Sequence, residues 1–240
     1  MLDVVQDKPS DGFPHADLSV FEEARRITEK RLGATVWKRL FIAHYIYRSS
    51  VLLGLALARV GVTPNALTYT SLALAAAAGL SAGMNHFQLA AGIIITSGIC
   101  DILDGVVARA SGKISRYGAL LDSSVDRLSD GLPLLGLTVA YAGQSWLSVI
   151  PAATMLASLA VSYVRARSES LGAPLPPLFM RRSERLVLLV LSLLFAPLSL
   201  GVGIPSPVLL AGVVVLGLLS IVGTVFALRA ARVELDAIGD

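Results

Sequence analysis

The sequence predicts an all-α integral membrane protein of six transmembrane helices preceded by an interfacial amphipathic helix. Three observations lead there. The 240 residues are 55% hydrophobic and only 15% charged, where an ordinary soluble domain carries ~25% charged residues. Mean hydropathy is +0.72, and the apolar residues fall into six stretches that reach or approach the ~20 residues needed to cross the hydrocarbon core. Basic residues collect in alternate connections between those stretches. The net charge of +3 is therefore read by position, as membrane topology, and no nucleic-acid partner is expected.

Residues 1–36 read as a polar cytoplasmic tail and a short helix. Asp3, Asp7, Lys8 and Pro9 open the chain, and no secretory signal pattern follows. Ser19-Val-Phe-Glu22 fits a capping box, predicting an amphipathic helix that ends near Leu32 and Gly33. Residues 37–60 mix apolar positions with Lys38, Arg39, His44, Arg48 and Arg59. Those charges fit a juxtamembrane helix lying in the interface, with Trp37 and Tyr45 at headgroup level. The spans follow at 62–84, 87–110, 115–142, 146–169, 183–200 and 206–229, within a catalytic unit at 61–232. Residues 233–240 form a cytoplasmic tail. The single cysteine, Cys100, excludes an intramolecular disulfide.

Loop charges set the orientation. The connections at 83–88, 143–146 and 201–207 contain no Lys or Arg, while the opposite set holds Lys113, Arg116, Arg165, Arg167, Arg181, Arg182, Arg185, Arg229 and Arg232. The positive-inside rule then predicts a multi-pass protein of the inner or plasma membrane. Both termini and the basic loops face the cytoplasm.

Among the aspartates inside the second and third spans, four fall into two close pairs, a set that hydrocarbon alone tolerates poorly. Asp101 and Asp104 are three apart and share one helix face; Asp122 and Asp126 are four apart and share another. Counted from the connecting turn at ~1.5 Å per residue, the pairs reach matching depths of ~9–17 Å. Four carboxylates thus converge in the cytoplasmic half of the membrane. Oxygen-only donors select hard cations, Mg²⁺ or Mn²⁺. Four carboxylates suit two such cations ~3.5–4 Å apart, an arrangement of phosphoryl transfer. Gly105, Ala108 and Gly118 leave room beside them, and Arg109 stands where it can meet a phosphate. Structural Asp–Arg pairing and a cation or proton transporter are the competing readings of such a set. No second copy of the motif appears in the other spans, as a transporter repeat would supply.

Asp101-x-x-Asp104-Gly105-x-x-Ala108-Arg109, followed after eight residues by Gly118-x-x-x-Asp122-x-x-x-Asp126, resembles the signature of the CDP-alcohol phosphatidyltransferase family. The resemblance covers about 60–232. It implies transfer of a phosphoryl-alcohol group from a CDP-alcohol, here CDP-diacylglycerol or a related CDP-lipid, to a hydroxyl, with release of CMP. It also implies that Asp101, Asp104, Asp122 and Asp126 hold two metal ions and that Asp126 acts as the general base. By the same resemblance Gly105, Ala108, Arg109 and Gly118 shape the CDP site with Asp104, joined by Pro64, Asn65 and Thr68. A homodimer is likewise implied.

The acceptor is read from other residues. Asp126-Arg127-Leu-Ser-Asp130-Gly131, Tyr163-Val-Arg165-Ala-Arg167 and Arg181-Arg182-Ser-Glu184-Arg185 resemble strings of the inositol-phosphate branch of the family. Val164 separates Tyr163 from Arg165, and Arg181 stands where that branch has a glutamate. Arg165, Arg167, Arg182 and Arg185 are the expected binders of the phosphate of a small polyol acceptor. Inositol phosphate is the expected acceptor, with glycerol 3-phosphate as the alternative.

Overall fold

A computed structural model describes residues 41–144, 146–176, 179–198 and 206–239, with side chains from Ser49 onward. The polar tail, the Ser19–Glu22 capping box, the helix expected to Leu32 and the start of the interfacial helix at Trp37 lie outside these residues. The chain divides into two units, Met1–Leu53 and Gly54–Asp240. Apart from α1, everything below belongs to the second.

The described residues fold as helices: α1 (Phe41–Arg59), α2 (Pro64–Gly83), α3 (Phe87–Ala110), α4 (Arg116–Ala140), α5 (Val149–Ser170), α6 (Arg182–Leu194) and α7 (Pro207–Ile238). A 3₁₀ turn at Ala196–Leu198 follows α6. Local chemistry fixes several of the starts. Thr63, Ser115 and Ser206 are extended residues whose side chains accept from the first turns of α2, α4 and α7. Pro64 and Pro207 occupy first-turn positions, where a missing N–H costs nothing.

Among the described residues, α2, α3, α5 and α7 are long and apolar enough to cross a membrane. The other two expected spans differ for identifiable reasons. Helix α4 has 25 residues, but Arg116, Asp122, Asp126, Arg127 and Asp130 interrupt its apolar surface. Helix α6 has 13 residues, about 20 Å at ~1.5 Å per residue, and stops at Leu194 rather than running toward 200. Pro197 lacks an N–H and disfavours helical backbone at the residue before it, so the chain tightens into the 3₁₀ turn. At the other end, α7 runs through the expected tail as far as Ile238, where Gly239 takes a left-handed conformation at φ 97°.

Helix α2 packs against both α3 and α4; α5 lies against α4 and α7; α6 bridges α3 and α7. Backbones touch where α2 meets α4. A Cβ added at Gly136 would stand 2.0 Å from the Gly79 carbonyl oxygen, and one added at Gly79 would stand 2.5 Å from that of Leu132. Only glycine permits this approach, the usual means of close helix contact in membranes. Tyr141, fully buried, closes the end of α4 by donating its hydroxyl to the Ser206 carbonyl at 2.7 Å. Helix α2 therefore holds α3 and α4 together, and α6 docks on α3.

Candidate active site

The short connection at residues 111–115 turns the chain from α3 back into α4, and α2 packs against both. Gly112 turns the chain with φ 65°, and Ser115 Oγ accepts from the Gly118 amide at 2.9 Å. Equal counts on either side of this turn bring the aspartates level. Asp101, Asp122 and Asp126 each place a carboxylate oxygen within 4.8 Å of the other two. Oxygens around one six-coordinate Mg²⁺-like ion stand ~3–4 Å apart at ~2.0–2.1 Å bond lengths. Small side-chain movements fit the triad to such an ion, and its all-oxygen donors suit a hard cation. Asp104 stands outside the triad. It is 5% exposed, and its Oδ2 accepts from Thr68 Oγ1 of α2 at 2.6 Å.

On one side of the aspartates lies a cavity of about 260 Å³ bordered by α2, the end of α3 and the start of α4. All the residues expected at the CDP site line it: Pro64, Asn65, Thr68, Asp104, Gly105, Ala108, Arg109 and Gly118. Asp122, Lys113 and Ser115 line it too. Gly105 matters here because the Arg109 guanidinium folds back over it; an added Cβ would stand 3.3 Å from Arg109 Nη1. Lys113, a topological charge in the sequence, is brought to this cavity by the tightness of the turn.

On the other side, a cavity of about 200 Å³ opens between α4, α5 and the start of α6. Asp126, Arg165, Arg182 and Arg185 line it, as do Arg127, Asp130, Ser162 and Arg181. Arg165 Nη2 is buried and makes no hydrogen bond among the described residues. Arg167, expected beside it, is exposed, with Nη1 3.4 Å from Ser170 Oγ, and does not line the cavity. Residues two apart on a helix point to nearly opposite sides, so Arg165 and Arg167 cannot share one pocket wall.

Arg182 and Arg185 behave differently from each other. Arg185 is 5% exposed and committed to the protein interior. Its Nη2 donates to Asp130 Oδ2 at 2.6 Å and to Ser162 Oγ at 2.9 Å, and its Nη1 donates to the Met180 carbonyl at 2.9 Å. That last bond holds Met180, a non-glycine residue at φ 60°, in a left-handed conformation that sets the start of α6. Arg182 instead reaches the aspartate centre. Its Nη1 lies 2.7 Å from Asp101 Oδ2 and 2.9 Å from Asp126 Oδ1, and its Nε lies 3.2 Å from Asp130 Oδ1. The Asp126 contact is an ion pair without hydrogen-bond geometry, so Asp126 Oδ1 accepts no hydrogen bond.

Asp130 was legible as a continuation of the Asp122–Asp126 stripe, one turn further along α4. Its pairing with two arginines of α6 depends on tertiary packing and has no local signal. A larger concavity of about 730 Å³ lies at the opposite end of the bundle, lined by residues 85–89, Ala196 and Pro197. Its described lining holds neither carboxylate nor arginine.

The sequence pattern of the family described as CDP-alcohol phosphatidyltransferase matches residues 61–233. An archaetidylinositol phosphate synthase of Pyrococcus horikoshii is 35% identical over 152 residues, covering 62% of this chain and 79% of that protein. A phosphatidylinositol phosphate synthase of Streptomyces avermitilis is 35% identical over 195 residues, covering 75% of this chain and 78% of that one. Among solved structures, the phosphatidylinositol phosphate synthase of Mycobacterium tuberculosis in complex with manganese and citrate superposes with a TM-score of 0.68 at 28% identity, over 76% of this chain and 88% of that one. The same enzyme with CDP-diacylglycerol bound gives 0.67 at 27% identity, over 77% and 94%. Together with the carboxylate geometry, these likenesses settle the family: the chain belongs to the CDP-alcohol phosphatidyltransferases.

Proposed function

We propose that this protein transfers the phosphatidyl group of CDP-diacylglycerol, or of an ether-lipid analogue, to a hydroxyl of inositol phosphate and releases CMP. One observation carries the reading. The aspartate centre has a cavity on each side, one lined by the CDP-site residues and the other by five arginines. At about 200 Å³, the arginine cavity is smaller than the ~300–1,000 Å³ of a drug-sized ligand site. That size and charge suit a small polyol phosphate.

In this reading Asp101, Asp122 and Asp126 hold the divalent cations, with Asp104 positioned by Thr68 to join them. Bound Mg²⁺ or Mn²⁺ supplies charge neutralisation at the diphosphate. Pro64, Asn65, Thr68, Gly105, Ala108, Arg109 and Gly118 hold the CDP moiety. Arg165, with an unused buried donor, and Arg182 bind the acceptor's phosphate and orient its hydroxyl. Arg185 supports that pocket by fixing Asp130 and Met180, and Arg167 is given no acceptor role. Asp126 lines the basic cavity, and its carboxylate takes the hydroxyl proton as the acceptor oxygen attacks the lipid-bearing phosphorus. The bond from that phosphorus to the bridging oxygen breaks, and CMP leaves with the electron pair.

The reading includes six spans, with α4 and α6 completing the set because their charged faces turn inward on the site. Both termini and the site face the cytoplasm, as the loop arginines suggest, and the chain acts as a homodimer, as the family resemblance implies. The test is CMP release by purified protein from CDP-diacylglycerol with Mg²⁺ or Mn²⁺. Release that depends on both metal and inositol phosphate is expected. No release with inositol phosphate, from folded protein, would refute the assignment.

A further inference from the structure

Arg182 Nη1 lies between Asp101 Oδ2 and Asp126 Oδ1, at 2.7 and 2.9 Å. Those residues belong to the oxygen triad suited to a divalent cation. A guanidinium and a divalent cation cannot share that space, since both volume and like charge forbid it. Arg182 also has a partner outside the triad, because its Nε lies 3.2 Å from Asp130 Oδ1. Asp130 is held in turn. Arg185 takes its other oxygen at 2.6 Å and is itself anchored to Ser162 and to the Met180 carbonyl. The Nε end of Arg182 therefore has a fixed pivot, while its Nη1 end competes for metal ligands at the edge of the basic cavity.

We propose that Arg182 shares the oxygens of Asp101 and Asp126 with the metal, changing places with it by pivoting on Asp130. Metal loading then turns Nη1 away from the aspartates and toward the basic cavity that Arg182 also lines. Linkage makes the effect reciprocal: whatever draws Arg182 into the cavity strengthens metal binding. Asp130 makes the exchange affordable, because without it the displaced guanidinium would be left half-buried and unpaired. The inference rests on the reading of the aspartates as metal ligands and is independent of which acceptor the protein uses.

Mn²⁺ affinity, read from the electron paramagnetic resonance signal of free Mn²⁺ with no donor or acceptor present, tests the exchange directly. Arg182→Gln should bind Mn²⁺ at least about tenfold more tightly than wild type, within the usual range of coupling between sites. Misfolding cannot mimic that gain. Asp130→Asn should weaken Mn²⁺ binding several-fold, and adding Arg182→Gln to it should restore the affinity. Arg165→Gln removes a charge from the same cavity without touching Asp101 or Asp126, and should stay within about twofold of wild type. Unchanged or weaker Mn²⁺ binding in Arg182→Gln would overturn the exchange, as would an equal gain in Arg165→Gln. Wild-type protein that binds no Mn²⁺ would instead strike the metal assignment itself, and the exchange with it.

Discussion

Replacing Arg165 with alanine should weaken acceptor binding and leave the rest of the enzyme nearly intact. The side chain projects from α5 into the cavity of about 200 Å³ beside Asp126. Its Nη2 is buried and makes no hydrogen bond among the described residues, so it is a donor available to an incoming anion. A hydrogen bond to a charged group contributes ~1.5–3 kcal/mol. At ~1.4 kcal/mol per factor of ten, that is roughly a 10–150-fold change in affinity. Arg127, Arg181 and Arg182 line the same cavity, so the lower half of that range is expected. The assay is initial-rate CMP release, with acceptor varied at saturating CDP-diacylglycerol and then donor varied at saturating acceptor. The acceptor KM should rise about 10–40-fold, while the donor KM should change less than about twofold. An unchanged acceptor KM, or an equal rise in both constants, would refute the assignment of this cavity to the acceptor and return Arg165 to a topological role.

Arg185→Ala should act on stability first. It breaks a buried ion pair and leaves Asp130 and the Met180 carbonyl short of partners, a loss of about 3–5 kcal/mol. Thermal unfolding in detergent should show a clear drop, and an unchanged midpoint would contradict the supporting role given to Arg185. Asp126→Asn should retain CDP-lipid binding but lower turnover by at least about 10²-fold, the usual contribution of a general base; full turnover would remove Asp126 from that role. Gly136→Ala places a methyl group 2.0 Å from the Gly79 carbonyl oxygen. Separating α2 from α4 should cost about 1–3 kcal/mol, and a variant as thermostable as wild type would show that the contact yields without strain.

The aspartate centre was legible because its geometry is local. Spacings of three and four and equal distances from a tight turn bring Asp101, Asp122 and Asp126 together, while Asp104, the fourth expected member, is held by Thr68 outside the triad. The cavity lined by the residues expected at the CDP site was legible for a related reason, since they cluster around that turn and the start of α2. The basic cavity was only partly legible. Arg165 and Arg167 look equivalent in a string, yet the helix turns them to different sides, and only Arg165 lines the cavity. The distinct tasks of Arg182 and Arg185 arise from where α6 docks on α3, which no short pattern encodes. Hydropathy located the helices well but overstated the fifth span, because Pro197 ends α6 before its apolar run is used up. In α4, Asp122, Asp126, Arg127 and Asp130 weaken the spanning signal and also line the two cavities.

The central claim, that this phosphatidyltransferase uses a phosphorylated inositol, is tested most directly by competition in one vessel. Purified protein, CDP-diacylglycerol and Mn²⁺ are supplied with equimolar inositol phosphate, glycerol 3-phosphate, serine and free inositol, and the lipid products are resolved by mass. The account predicts phosphatidylinositol phosphate as the dominant product, lost when Asp126 is replaced by asparagine. Phosphatidylglycerophosphate, phosphatidylserine or phosphatidylinositol as the dominant product would contradict it.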